Sequence, residues 1–213
     1  MTERELEVRW LGRRPYLEVH RLQQELLTER IEGRIGDTLL LVEHDEVVTL
    51  GRRSGEDDAA GVDLPIVRVE RGGEATWHGP GQLVAYPIRL LEEGQRDLHK
   101  YLRDLEQVVI DVLADFGVEA HRQPPNTGVW VGARKIASLG VAVRRWVTWH
   151  GVALNLDSRP DAFTTFRPCG LDAGVMTRLA DCAARDWTWD TVGKTFCIRF
   201  AERFGYETVQ KRA

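Results

Sequence analysis

Lysine is scarce in this 213-residue chain: only Lys100, Lys135, Lys194 and Lys211 among 29 basic residues, the rest being arginine. Arginine stays protonated, whereas a desolvated lysine can give up its proton, so each lysine is a candidate for proton transfer. Cysteine is scarcer still. Cys169, Cys182 and Cys197 are odd in number, widely separated and without a C-x-x-C, which excludes a disulfide framework and argues against a structural zinc site. Long apolar runs are missing too. The longest stretch free of Asp, Glu, Lys and Arg, residues 75–88, has 14 residues and is interrupted by Gly79, Pro80, Gly81 and Pro87, too short and broken for a membrane helix. The N-terminus is charged from residue 3 and has no apolar signal core, so a cytoplasmic location is expected. Net charge is only −4 and the arginines are scattered, so neither nucleic acid nor a membrane is an expected partner. No repeat, low-complexity run or linker is visible. The expectation is one domain over residues 1–213.

What is present is a mixture of strand and helix patterns. Residues 6–11 read as a strand, and Pro15 opens a helix to about Ile31, its missing N–H being harmless in a first turn. Residues 38–43 and 47–50 read as two strands joined by a tight turn at His44–Asp45. Residues 65–69 and 83–88 are further strands, separated by a glycine-rich loop. The clearest helix is 97–116, with apolar residues at three- and four-residue spacing and Gly117 where a left-handed C-terminal residue belongs. Residues 129–131, 136–143 and 146–156 look like consecutive antiparallel strands, the last two turning at Arg144–Arg145. A final helix spans Trp189–Phe204. Without regular βαβ alternation this is an α+β chain, a mixed β-sheet flanked by helices.

Four segments carry chemistry. Arg71–Gln82 (RGGEATWHGPGQ) places four glycines in twelve residues, which lets backbone N–H groups approach a ligand. It is neither a Walker A, for want of Gly-Lys-Ser/Thr, nor a dinucleotide fingerprint, for want of a following helix. A structural loop with a buried Arg and His is the competing account. In TGVWVGARKIASLG (127–140), strand alternation sends Arg134 and Lys135 to opposite faces, and a lysine against apolar walls loses proton affinity and suits a base. The alternative is an exposed edge lysine that deters strand pairing. In WHGVALN (149–155), Gly151 and Ala153 remove bulk as if something packs against the backbone. His150 reads as a ligand contact or, the commoner outcome, as a hydrogen-bonded core histidine, with no catalytic role assigned. In FRPCGL (166–171), Pro168 and Gly170 frame Cys169 as a loop nucleophile with open backbone donors after it. A buried, inert thiol is the commoner fate, and Cys197 fits that description; Cys182, flanked by charges, reads as a bystander.

RGGEATWHGPGQLVAYPI, TGVWVGARKIASLGVAV, WHGVALN and PCGL, in this order and at these separations, resemble the lipoyl(octanoyl) transferase family of lipoate biosynthesis over nearly the whole chain. Trp77 stands where a tyrosine is more usual, and Phe166-Arg167 where aliphatic residues are commoner. Both departures bear on acyl-chain preference rather than on the reaction. The resemblance implies a catalytic domain like that of the biotin/lipoate protein ligases, with no cofactor and no metal. It implies transfer of an octanoyl group from octanoyl-acyl carrier protein to a specific lysine of lipoyl domains, those of 2-oxoacid dehydrogenase complexes and the glycine-cleavage H protein. Carried over residue by residue, Cys169 becomes the acyl-thioester nucleophile and Lys135 its activator. Arg71, Gly72, Gly73, Glu74, Ala75, Thr76, Trp77 and His78 become acyl-substrate contacts, with Ser138, Leu139 and Gly140 and with Gly151, Val152 and Ala153.

Forming an amide from a thioester runs downhill, so no ATP is implied, in keeping with the missing P-loop. Arg13-Arg14, Arg52-Arg53 and Arg144-Arg145 are candidates for steering acidic partner proteins. The sequence leaves two other functions open: an ATP-dependent lipoate or biotin ligase on the same fold, and a non-catalytic acyl-binding module.

Overall fold

A computed structural model of the protein describes residues 4–55, 57–59, 61–159 and 175–212. Strand β1 (Glu5–Arg14) leads into helix α1 (Tyr16–Ile31), with Pro15 in extended geometry as its N-cap. Strands β2 (Asp37–His44), β3 (Val47–Leu50), β4 (Ile66–Arg68), β5 (Thr76–His78) and β6 (Gln82–Ile88) follow. Helix α2 (Leu98–Asp115) precedes β7 (His121–Gln123), β8 (Asn126–Val131), β9 (Arg134–Arg144) and β10 (Val147–Asn155); α3 (Trp189–Phe204) and β11 (Thr208–Arg212) complete the order.

Eight strands form one mixed sheet in the order β11-β1-β2-β6-β10-β9-β8-β7, parallel on both sides of β1 and antiparallel from β2 to β7. The run Leu39–Val42 explains why β2 lies near its middle. Leu39 and Leu41 enter the core under α2 and α3, while Leu40 and Val42 enter the one under α1. A strand covered on both faces reads as continuous apolar sequence rather than alternation. Helix α2 starts at Asp97, whose carboxylate accepts the Lys100 N–H at 2.9 Å, and ends before Gly117 at φ +76°. Helix α3 carries a Thr188/Thr191 capping box and ends at Gly205, φ +70°. Among the described residues no helix is long and apolar enough to cross a membrane.

Three expectations need correcting. Residues 38–43 and 47–50 do not pair: β2 belongs to the large sheet, and β3 sits in a second, three-stranded sheet ordered β4-β3-β5. The chain passes from one sheet to the other at Asp45–Glu46, a link without the glycine or asparagine that a two-residue hairpin favours. The loop 71–82 is not all loop, because Thr76–His78 is β5 and pairs antiparallel with β3. The last turn of the meander is shifted by one residue, to Arg145 (φ +50°) and Trp146 (φ +63°). Strands β7 and β11 add to the elements expected from the sequence.

Candidate active site

Four segments meet where the two sheets adjoin. Gly72 N–H donates to the Val141 carbonyl of β9 at 3.0 Å, so the stretch after β4 crosses directly over that strand. The crossing needs Gly140: a Cβ there would stand 3.0 Å from the Gly72 carbonyl and 3.1 Å from Arg71 Cδ. Buried Arg71 holds the stretch in shape. Its Nη1 donates to the Glu74 carbonyl at 2.8 Å and to the Gly72 carbonyl at 3.2 Å, and its Nη2 to Thr49 Oγ1 at 2.8 Å and the Thr49 carbonyl at 3.0 Å. A lysine could not serve these acceptors together, because its point charge lacks the fork geometry.

Between these segments lies a pocket, open to solvent on one side and enclosing about 450 Å³ of empty space with that solvent included. Arg71, Gly73, Thr76, His78, Ser138, Leu139, Gly140, Gly151, Val152 and Ala153 line it, together with Tyr16, Val84, Tyr86 and His150. Gly72 crosses beside it. Glu74 contributes its carbonyl to Arg71, and Ala75 and Trp77 point the other way, into a small core with Val48 and Leu50. Strand alternation divides β5 in this way, Thr76 and His78 to the cavity and Trp77 away from it. The same period on β6 carries Val84 and Tyr86 to the cavity with the Gln82 face, so alternation from Gln82 is the signal that points to them. Tyr16, in the first turn of α1, has no such signal in the sequence.

His150 departs from the commoner of its two expected roles, that of a hydrogen-bonded core histidine. It is buried, but neither ring nitrogen has a hydrogen-bond partner among the described residues, and it lines the cavity. Its backbone is left-handed at φ +55°, and its N–H donates to Gln23 Oε1 of α1 at 2.9 Å. Gly151 follows because a Cβ there would lie 2.2 Å from the Ala85 carbonyl of β6.

Burial holds three imidazoles here neutral, those of His44, His78 and His150. Burial pushes His44 down to about 4, opposed by its bond to the Arg14 carbonyl, and His78 down to about 3 with help from His44 and Arg71. His150 is lowered well below the ordinary histidine value by burial, then by His20 and Arg71. Folded His44 and His78 therefore bind a proton more weakly than in the unfolded chain. Their contribution to stability is complete above pH 6.5 and is lost as pH falls from 6.5 toward 4 and 3 respectively. Each should cost about 1.4 kcal/mol per pH unit within its window. Urea midpoints measured from pH 7 to pH 5 should fall accordingly, and His44→Gln should flatten the slope by one proton.

His20 Nε2 and His150 Nε2 lie 3.0 and 3.6 Å from Glu70 Oε2, and these three offer donor atoms within 4.8 Å of one another. That donor set fits a divalent cation in type. The neighbouring Arg71 charge, strong enough to depress His150, opposes a cation there. The trio is better described as a polar rim of the cavity, closed by the His20–Glu70 hydrogen bond.

Lys135 lies on β9, and alternation works as expected: its side chain is 3% exposed while Arg134 faces solvent. Its Nζ stands 5.9 Å from the centre of the Trp130 ring. Gly128, φ +144°, makes the space, since a Cβ there would be 2.5 Å from Lys135 Cε and 3.2 Å from Nζ. Fully buried Glu106 fixes that glycine, accepting its N–H at 2.9 Å while paired with Arg103 and Arg122. The Lys135 carbonyl accepts the Thr177 N–H at 2.9 Å, and Lys135 bridges to Met176. Cys169, with Pro168 and Gly170, lies outside the described residues. Cys197 is buried in the core face of α3. Cys182 is half-buried, its thiol donating to the Arg178 carbonyl at 3.3 Å.

Residues 15–201 match the family described as the lipoyl protein ligase A/B catalytic domain. An octanoyltransferase from Solibacter usitatus is 44% identical over 207 residues, covering 94% of this chain and 93% of that protein. One from Gloeobacter violaceus is 51% identical over 198 residues, covering 91% and 87%. Among solved structures, a bipartite lipoate protein ligase from Thermoplasma acidophilum, described with its E2 lipoyl domain, superposes with a TM-score of 0.77 at 17% identity. That match covers 99% of this chain and 88% of that one.

Proposed function

The chain belongs to the lipoyl protein ligase A/B catalytic-domain family, and from that membership we propose the reaction it performs. It is an acyltransferase that moves an octanoyl group from octanoyl-acyl carrier protein to a lysine of lipoyl domains, the step that begins lipoate assembly on the protein. The acceptors are lipoyl domains of 2-oxoacid dehydrogenase complexes and the glycine-cleavage H protein. Octanoyltransferase relatives at 44% and 51% identity over more than nine-tenths of the chain support the activity.

Cys169 is the nucleophile. Lys135 takes the proton of its thiol, and the thiolate attacks the octanoyl thioester of the carrier. A new carbon–sulfur bond forms to Cys169, the old one breaks, and the Lys135 ammonium returns its proton to the departing carrier thiol. The acceptor lysine, arriving as a free amine, then attacks the acyl-enzyme. Its nitrogen–carbon bond forms, the bond to Cys169 breaks, and the amine's proton passes through Lys135 to the thiolate. Thioester to thioester is near balance and thioester to amide is downhill, so no nucleotide is consumed.

The observation that carries the dyad is the burial of Lys135 beside Gly128 and Trp130 with its backbone bridged to Met176, seven residues after Cys169. The cavity lined by Arg71, Gly73, Thr76, His78, Ser138–Gly140 and Gly151–Ala153 takes the acyl chain; Gly72, Glu74, Ala75 and Trp77 shape its wall. Arg52 and Arg144 line a cleft with Glu70 and Trp149 that adjoins the rim and suits an acidic carrier. Mixing the protein with octanoyl-acyl carrier protein, without ATP, should yield a hydroxylamine-labile octanoyl adduct at Cys169 in the intact-mass spectrum. Adding apo lipoyl domain should discharge it. Modification that instead needs free octanoate and ATP would make the chain a ligase, and no transfer under either condition would leave a binding module.

A further inference from the structure

A buried chain of side-chain amides runs from the cavity to the backbone that carries Lys135. Its polarity is fixed at one end. The Thr177 carbonyl can only accept, so Asn155 Nδ2 donates to it at 3.0 Å and turns Oδ1 toward Gln82. That oxygen accepts from Gln82 Nε2 at 3.0 Å, a nitrogen that also faces the Trp77 carbonyl at 3.5 Å. Gln82 Oε1 is thereby left to accept from His78 Nδ1 at 2.8 Å. Flipping either amide would set like against like in a site where Gln82 and Asn155 are 2% and 1% exposed. His78 therefore carries its hydrogen on Nδ1 and keeps a bare lone pair on Nε2. That nitrogen has no hydrogen-bond partner among the described residues, on a side chain that lines the cavity.

We propose that His78 Nε2 receives one N–H of the attacking acceptor amine and so aims the amine's lone pair at the acyl carbon, the imidazole being held in the required tautomer by Gln82, Asn155 and the Thr177 carbonyl. The amine has two N–H groups. His78 holds one by hydrogen bond, and the other proton leaves through Lys135. An imidazole pushed down to about 3 accepts a hydrogen bond without capturing the proton, so His78 orients the nucleophile and Lys135 remains the base. The Thr177 N–H donates to the Lys135 carbonyl at 2.9 Å, so both ends of the device are tied to one piece of backbone. Gln82 and Asn155 act through His78 and are positioning residues.

The inference rests on the two-step acyl-enzyme reading and concerns only its second step. Single-turnover kinetics separate acyl loading from discharge to apo lipoyl domain. Gln82→Glu keeps an acceptor for Nδ1–H but puts a negative charge beside it, which favours the imidazolium. Discharge should slow more than loading, increasingly so as pH falls, and the acid limb of its pH profile should move up by a unit or more. Asn155→Ser, which removes the donor to Thr177, should slow discharge at every pH without that shift. In the wild-type protein, long-range proton–nitrogen correlation should show His78 in the Nδ1–H tautomer. Equal slowing of both steps, an unmoved acid limb in Gln82→Glu, or the other tautomer would overturn the proposal. A wild-type protein that forms no acyl-enzyme would instead defeat the two-step reading itself.

Discussion

Cys169→Ala protein is expected to lose octanoyl transfer by roughly four orders of magnitude or more, the scale on which enzymes lose a covalent nucleophile, and to show no acyl-enzyme mass. Cys169→Ser is the more informative variant. An alcohol attacks the carrier thioester slowly, and the oxygen ester it forms is far less reactive toward an amine than a thioester is. A small amount of octanoyl oxygen ester should therefore accumulate at the substituted position, resist apo lipoyl domain and resist brief neutral hydroxylamine. The structure also says which thiols should not matter. Cys182 spends its thiol hydrogen on the Arg178 carbonyl, and Cys197 is packed into the core face of α3. Cys182→Ala and Cys197→Ala should both form the adduct, the second with a modest loss of thermal stability from the small cavity it leaves. Quantitative peptide mapping after a single loading reaction reads all four variants. Full activity in Cys169→Ala would refute the covalent route.

The elements legible in the sequence are those whose signal is local. Helix α2 repeats apolar residues at helical spacing and is capped by Asp97, and α3 ends as expected at Phe204 before Gly205. The meander β8-β9-β10 is rich in aromatic and β-branched residues and turns within the chain, so its strands stand out. What is not legible depends on partners far away in sequence. β11 is recognisable as a strand only because β1, some 200 residues earlier, offers it an edge, and β5 is three residues long inside a glycine-rich stretch. β2 and β3 look like a hairpin because nothing local tells a strand which sheet it joins.

The site divides in the same way. Gly72 and Gly151 are legible as places of close approach, and the collision a Cβ would meet at Gly151 gives the reason. Gly140 enters only through the family resemblance, and the strand crossing explains it. Alternation and the scarcity of lysine leave Lys135 between a buried base and an exposed edge lysine, and only the family resemblance singles it out. The role of His150 is not legible, because it lines the cavity from a left-handed backbone that no propensity announces. The line from His78 through Gln82 and Asn155 to Thr177 crosses three strands and a loop, and no spacing in the sequence points to it.

Lys135→Met is expected to lower transfer by about 10²- to 10⁴-fold, the range of a lost general base, without unfolding the protein. Its chain length and burial suit methionine, and removing a buried amine relieves desolvation, so the melting temperature should hold or rise. Lys135→Arg should be no better, although it keeps the charge. A guanidinium stays protonated and cannot take the thiol proton. Space is short as well, because the lysine already lies so near Gly128 that even a Cβ there would stand 2.5 Å from its Cε. The two variants separate on a second measurement, the pH dependence of Cys169 alkylation. With a fixed cation beside it the thiolate should persist to low pH in Lys135→Arg, whereas in Lys135→Met the thiol should titrate near its ordinary value of about 8.5. Thiolate without turnover in one variant, and neither in the other, would distinguish proton transfer from charge stabilisation as the work of this lysine. An arginine variant with wild-type turnover would assign it to charge alone.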